Sequence, residues 1–279
     1  MERIALDANG HRFDAIAAGP ADGELVLCLH GFPQFADAWT PILESLAALG
    51  YRAVAFDQRG YSPGARPTAV DQYRMPHLVG DVLAVADALG AERFNLVGHD
   101  WGGAVAWAVA GGHAERLRSL TVLSTPHSEA LTAAIRSDPD QQARSAYMLL
   151  FRADEGVAET WLLADDAAKL RGVYQGKVAP EQVEAIVGRM RAPGALTATL
   201  NWYRAMADNP PVGSIIVPTL YIWGSDDQAL GRTAALATAR NVEGSYRFEA
   251  LEDRSHWLPD ECPETIIALL GDHLRSAPR

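Results

Sequence analysis

An aspartate set between glycines, a histidine near the C-terminus and an acid between the two could together do covalent chemistry in this 279-residue chain. The aspartate is Asp100, in Phe94-Asn95-Leu96-Val97-Gly98-His99-Asp100-Trp101-Gly102-Gly103. An apolar run breaks at Gly98 and a small-residue helical run continues from Trp101. Gly-x-Asp-x-Gly therefore falls on a strand–turn–helix junction, where a nucleophile elbow needs its glycines. Gly98 and Gly102 permit the sharp turn, Gly103 lets the helix approach the sheet, and residue 100 projects from the corner. A carboxylate there is anionic near neutral pH and needs no activating base. It is a poor acyl-transfer nucleophile, because attack on an ester would give an anhydride. It suits displacement at a saturated carbon bearing a leaving group, which yields an ester between enzyme and substrate. The competing reading is a simple helix N-cap.

Releasing such an ester takes more parts. His30-Gly31-Phe32-Pro33 ends an earlier apolar run, so the backbone amides of Phe32 and Trp101 are expected to converge as an oxyanion hole. The attacking water needs a base, and in this order of elements the acid and the histidine follow the nucleophile. Of the eight histidines, His256 in Glu252-Asp253-Arg254-Ser255-His256-Trp257 follows the last predicted strand and is the expected base. His11, His77, His113, His127 and His273 fall in loops or on helix faces and read as solvated or structural. His99 neighbours the nucleophile and is expected to point away from the pocket. The orienting acid should follow the strand Thr219–Trp223, where Gly224-Ser225-Asp226-Asp227 offers two carboxylates. Asp227 is expected to fix the imidazole tautomer, with Asp226 the alternative.

The elements that position these residues follow from hydrophobic spacing. A hairpin turning at Asn9-Gly10 opens the chain. Strands then read at 24–30, 52–57, 94–97 and 117–124, as continuous apolar runs of the kind buried on both faces. Helical spacing separates them at 35–49, 77–89 and 101–110, with stops at Gly50 and Gly90. From about 127 to 211 the pattern turns helical and irregular. Strands resume at 219–223 and 246–251, and a helix over 264–274 closes the chain. The expected fold is α/β: a mostly parallel sheet with helices on both faces, residues 1–126 and 213–279, and an inserted helical lid, 127–212. Function is expected between lid and sheet.

Composition narrows the partners. With 48% hydrophobic residues the chain can bury a full core, and a net charge of −11 with no basic run argues against nucleic acid or an anionic membrane. No segment reads as a signal peptide or a membrane span, and a cytoplasmic monomer or homodimer is expected. Cys28 and Cys262 read as reduced thiols. No metal or cofactor is expected.

Taken together, these residues resemble the epoxide hydrolase branch of the α/β-hydrolase superfamily over nearly the whole chain, at the HGFP loop, the GHDWGG elbow, the S-D-D acid loop and the S-H-W histidine loop. Two further segments carry the resemblance. Asn201-Trp202-Tyr203-Arg204 looks like the family's N-W-Y-R, and Tyr147–Phe151 with Gly156–Glu159 looks like the segment bearing a second tyrosine. The resemblance implies that Tyr203 and Tyr147 grip an epoxide oxygen. Neutral tyrosines suit that task, because ring opening develops an alkoxide far more basic than phenolate. A small apolar epoxide and water are the expected reactants, with Phe32, Trp101, Trp202 and Trp257 against the substrate. The loop Arg59–Pro67 departs from the family's G-Y-G-x-S form and is expected to border the entrance. A haloalkane or haloacid dehalogenase shares the aspartate and histidine. It needs N–H donors for halide, though, and Phe32 stands where one large subgroup has an amide. A fluoroacetate-type enzyme has HGFPQ but an Arg where this chain has Trp101. A receptor that has lost turnover would show a broken catalytic set, and here every position is filled.

Overall fold

The chain is described by a computed structural model over residues 1–276, Asp208 by its backbone alone. Among the described residues eight strands form one sheet: β1 Glu2–Ala8, β2 His11–Ala18, β3 Leu25–Leu29, β4 Arg52–Phe56, β5 Phe94–His99, β6 Leu117–Leu123, β7 Thr219–Gly224 and β8 Tyr246–Leu251. Their order is β1-β2-β4-β3-β5-β6-β7-β8. β1 and β2 pair antiparallel to each other and β2 antiparallel to β4, and all later pairings are parallel. The hairpin turns at Asn9 and Gly10, both at positive φ, the backbone that a two-residue turn matching strand twist requires.

The continuous apolar runs do cover both faces. Leu25, Leu27 and Leu29 of β3 enter one core, and Val26 and Cys28 the other. The first core packs against the helices Met75–Ala88 and Trp101–Gly112, the second against Thr40–Ala48 and Pro263–Ser276. The helix expected from Phe35 is split: a 3-10 turn at Ala36–Trp39 precedes the α-helix, which begins where Pro41 can occupy a first-turn position. Cys28 and Cys262 are both free and buried. Among the described residues no helix is long and apolar enough to cross a membrane.

Between β6 and β7 the chain leaves the sheet for helices that include Ser128–Ser137, Tyr147–Phe151, Val157–Gly172, Pro180–Met190 and Ala195–Ala205. They lie over the carboxyl end of the sheet, with Phe151 and Tyr203 edge-on to the ring of Phe32 at 5.4 and 5.5 Å. Polar ties hold them down. Asp260, after β8, accepts from Gln34 of the sheet side (2.7 Å) and Gln182 of the insert (3.0 Å). Arg189 pairs with Asp37 and Asp57 while its guanidinium covers the Phe35 ring. Burial pushes the Asp260 carboxyl up to about 6, with the two amides opposing the shift.

Candidate active site

Asp100 sits at the corner between β5 and the helix Trp101–Gly112, at φ 53° and ψ −123°. Few non-glycine residues adopt a positive φ, and the strain persists only where the surroundings impose it. They do so by close approach. A Cβ on Gly98 would lie 2.3 Å from the Gly102 carbonyl oxygen, one on Gly102 would lie 2.2 Å from that of Leu29, and one on Gly31 would lie 2.2 Å from the Asp100 carboxylate. These are backbone or nucleophile atoms that cannot swing aside. Gly102→Ala is expected to lower stability by on the order of 3 kcal/mol, read as a fall in the urea midpoint at constant m-value. A loss below about 1 kcal/mol would mean that the strand–helix contact is not tight.

Asp100 occupies the helix N-cap position yet makes no side-chain capping bond. Its carboxylate is turned outward instead. Oδ1 accepts the Phe32 backbone N–H at 2.7 Å, and Oδ2 lies 3.5 Å from His256 Nε2. Thr125 Oγ1, just after β6, donates to the Asp100 carbonyl at 2.8 Å and steadies the corner. The capping alternative is thereby set aside. Burial alone would raise the pKa of this carboxyl by disfavouring its charged form. The hydrogen bond and charge of His256, then His99 and the Trp101 amide, outweigh it and hold Asp100 below the usual range. Both expected oxyanion-hole amides, Phe32 and Trp101, therefore face the carboxylate.

The acid at His256 is Asp227: its Oδ2 is 2.8 Å from His256 Nδ1, and Asp227 is fully buried, whereas Asp226 is exposed. The other oxygen of Asp227 accepts from the Ala229 and Leu230 amides (2.8 and 3.0 Å). The His256 carbonyl receives the Ser124 hydroxyl (2.9 Å) and, at 2.8 Å, Nε2 of His99, which must carry its proton there. Burial would lower His256, but the Asp227 charge and the hydrogen bonds to Asp100 and Asp227 reverse the sign and push it up to about 10. The resting site is thus an imidazolium between two carboxylates.

His30 plays a part that its sequence position did not signal. Its Nε2 accepts the Gln58 N–H (3.1 Å), so its proton sits on Nδ1, directed at the Gly31 carbonyl. Burial lowers it to about 3 and keeps it neutral. It ties the Gly31–Pro33 loop to the end of β4.

A cavity of about 600 Å3 opens above Asp100, with Trp101, Tyr147 and Tyr203 in its wall. The rest is largely apolar, including Met75, Leu131, Ile135, Met148 and Leu230. Tyr203 packs edge-on against Trp101 at 5.1 Å, and Tyr147 lies 6.2 Å from Tyr203 between ring centroids. Burial first raises both phenols well above their ordinary value, followed by the charge of Asp100 at Tyr147 and by Tyr147 and then Asp100 at Tyr203, so both are neutral donors. Arg204 explains how they are held. It pairs with Glu159 through two bonds (2.9 and 3.0 Å) and donates to the carbonyl of Ala153, and Glu159 accepts the Gly156 amide. The turn after the Tyr147 helix is therefore fastened to the helix that carries Tyr203.

Four expectations about the surroundings are corrected. Trp202 does not line the cavity: its indole N–H donates to the Arg59 carbonyl at 2.8 Å, and its ring meets Tyr61 and Trp101. Trp257 packs behind His256, against Tyr174 and His99. The Phe32 ring packs against Phe151 and Tyr203 and is not in the cavity wall, while its amide bonds Asp100. The loop Arg59–Pro67 is not at the cavity either. Arg59 is buried in a two-bond pair with Asp81 (2.7 Å each), and Gly60 lies against the Ala198 carbonyl beneath the insert. Of the four aromatic side chains expected against substrate, Trp101 alone is in the wall. The histidines read as structural include His127, which is buried with Nδ1 2.7 Å from Glu129.

Fold and site together define a hydrolase built on a parallel sheet, with its candidate nucleophile at a strand–helix corner. Residues 24–263 match the sequence profile of the alpha/beta hydrolase fold. The chain is 33% identical over 281 residues to the AB hydrolase superfamily protein YfhM of Bacillus subtilis, covering 97% of each. It is 32% identical over 317 residues to Epoxide hydrolase A of Mycobacterium tuberculosis, covering 98% of this chain and 97% of that one. The crystal structure of Epoxide Hydrolase A from Mycobacterium thermoresistibile superposes with a TM-score of 0.87 at 27% identity, covering 99% of each chain. The chain belongs to the α/β-hydrolase superfamily, in its epoxide hydrolase branch.

Proposed function

We propose that this enzyme opens an epoxide to a vicinal diol through an ester on Asp100, with residues 127–212 acting as a cap over a core of 1–126 and 213–279. The observation that carries the reading is the uncapped Asp100 carboxylate, held by His256 and the Phe32 amide, in a cavity shared with two neutral tyrosines. An Asp100 oxygen attacks a ring carbon, and the carbon–oxygen bond of the ring breaks as the new one forms. The departing alkoxide takes a proton from Tyr147 or Tyr203. Alkylation then removes the Asp100 charge, and with it two of the influences that raise His256. His256 becomes able to give up its proton, which replaces the one the tyrosine lost, and then to accept one from water. The hydroxide so formed attacks the ester carbonyl carbon. The oxyanion that develops is Asp100's own oxygen, facing the Phe32 and Trp101 amides. Collapse breaks the bond between the carbonyl carbon and the alkyl oxygen, and the departing alkoxide takes the proton of the new carboxyl O–H, so the diol leaves with the carboxylate and the His256 imidazolium restored.

Tyr203→Phe is expected to slow alkylation by about 100-fold while ester hydrolysis is nearly unchanged, measured by rapid mixing with an aryl epoxide. Equal slowing of both steps would remove the tyrosine from ring opening. The dehalogenase reading shares Asp100 and His256 and differs at the leaving group. Offered an aryl epoxide and a bromoalkane, the enzyme should form diol and little bromide, because phenol hydroxyls of the insert protonate an alkoxide and a halide needs no proton. Bromide release with intact epoxide would reverse the assignment.

A further inference from the structure

Gln141 lies on the short helix Pro139–Arg144 and is fully buried, yet its side chain touches no part of the reacting site. Its oxygen accepts the Gly231 N–H at 2.7 Å, and its nitrogen donates to the Ala229 carbonyl (2.8 Å) and the Ser145 hydroxyl (3.0 Å). Ala229 and Leu230 are the residues whose amides hold Oδ1 of Asp227. Arg144 of the same helix donates to the Asp227 carbonyl. On the other side, the Ser145 carbonyl accepts the Met148 N–H at 3.1 Å in the first turn of the helix that begins at Tyr147. One amide group thus spans the loop of the acid and the turn of an epoxide-facing tyrosine. A buried amide bonded on every side holds its partners at fixed spacing, and removing it leaves three buried polar groups unpaired.

We propose that Gln141 is a positioning residue that sets the Asp227 loop and the Tyr147 turn in one register, so that the base and the lid donor are aligned together. The inference rests on the reading that Asp100, His256 and Asp227 carry the reaction. Gln141→Met keeps length and removes all three bonds. Rapid mixing with an aryl epoxide, followed by quenching and intact mass, separates alkylation from ester hydrolysis. Hydrolysis is expected to fall about 30-fold and alkylation about fivefold. Ser145→Ala cuts the arm to the tyrosine alone, so alkylation should fall and hydrolysis should hold. Gln141→Glu provides a conservative rescue, since a neutral carboxylic acid can still donate while accepting from Gly231. The titratable neighbours, Asp138, Asp140, Arg144 and Asp227, are the same in both proteins. The hydrolysis rate of this variant relative to the unaltered enzyme should therefore decline as pH rises through the new carboxyl's titration. If the unaltered enzyme forms no ester on Asp100, the reading of the site fails. If it does, and Gln141→Met keeps both steps within twofold, the positioning role is overturned. Should that variant not accumulate folded, a pH-independent Gln141→Glu ratio overturns it equally.

Discussion

Replacing His256 with Gln is expected to stop the enzyme after one turnover. Glutamine keeps a donor for Asp227, whose fully buried carboxylate would otherwise be left unpaired, at a cost of about 3–5 kcal/mol. It has no basic nitrogen to take a proton from water. On the proposed route ring opening uses Asp100 and the tyrosines, so it should continue, while hydrolysis of the ester is expected to fall by about 10^4-fold or more. Intact mass should rise by the mass of one epoxide, and peptide mapping should place it on Asp100. Multiple turnovers without an adduct would mean that another group activates the water. The same residue sets a pH signature. In the resting enzyme His256 is raised to about 10, so the stability from its proton is complete below its ordinary range near 6.5 and is lost as pH climbs towards 10. Once Asp100 is an ester, part of that upward shift disappears. Single-turnover alkylation should therefore be flat across neutrality while hydrolysis rises with pH.

Asp100→Ala is expected to abolish both steps, with diol formation down by about 10^4-fold or more and no covalent adduct. The companion experiment uses the unaltered enzyme in heavy-oxygen water under single-turnover conditions. The first diol should carry an oxygen from Asp100 and be unlabelled, and label should appear in the carboxylate and in later product. Immediate stoichiometric label in the first diol would indicate direct attack by water and sink the covalent route. The position explains the size of the effect. Asp100 is held at positive φ at a corner where Gly31, Gly98 and Gly102 leave no room for a Cβ, and its carboxylate is the one bonded to the Phe32 amide.

Much of this was legible along the chain because it is local. An elbow is a strand, a turn and a helix within ten residues, and its glycines announce a close approach wherever they fall. The alternation of buried runs with helical spacing likewise reports a parallel sheet, since each strand must be apolar on both faces. Trp202, Trp257 and the loop Arg59–Pro67 were misplaced for the opposite reason. Their residue types say that they are buried or polar, but which neighbour they meet depends on how the insert docks. Trp202 bonds Arg59, well over a hundred residues away, and Arg59 is spoken for by Asp81.

The sequence by itself determined an aspartate at the corner, a histidine after the last strand and two tyrosines in motif-bearing segments of the insert. Only the tertiary structure decided that Asp227 and not Asp226 meets His256. Adjacent residues in a tight loop point in different directions, and the Ala229 and Leu230 amides select which one turns inward. The tertiary structure also decided that the Asp100 carboxylate reaches the Phe32 amide instead of capping its own helix. That choice depends on a loop 68 residues earlier in the chain arriving within 2.7 Å, a contact between distant segments that no local spacing encodes.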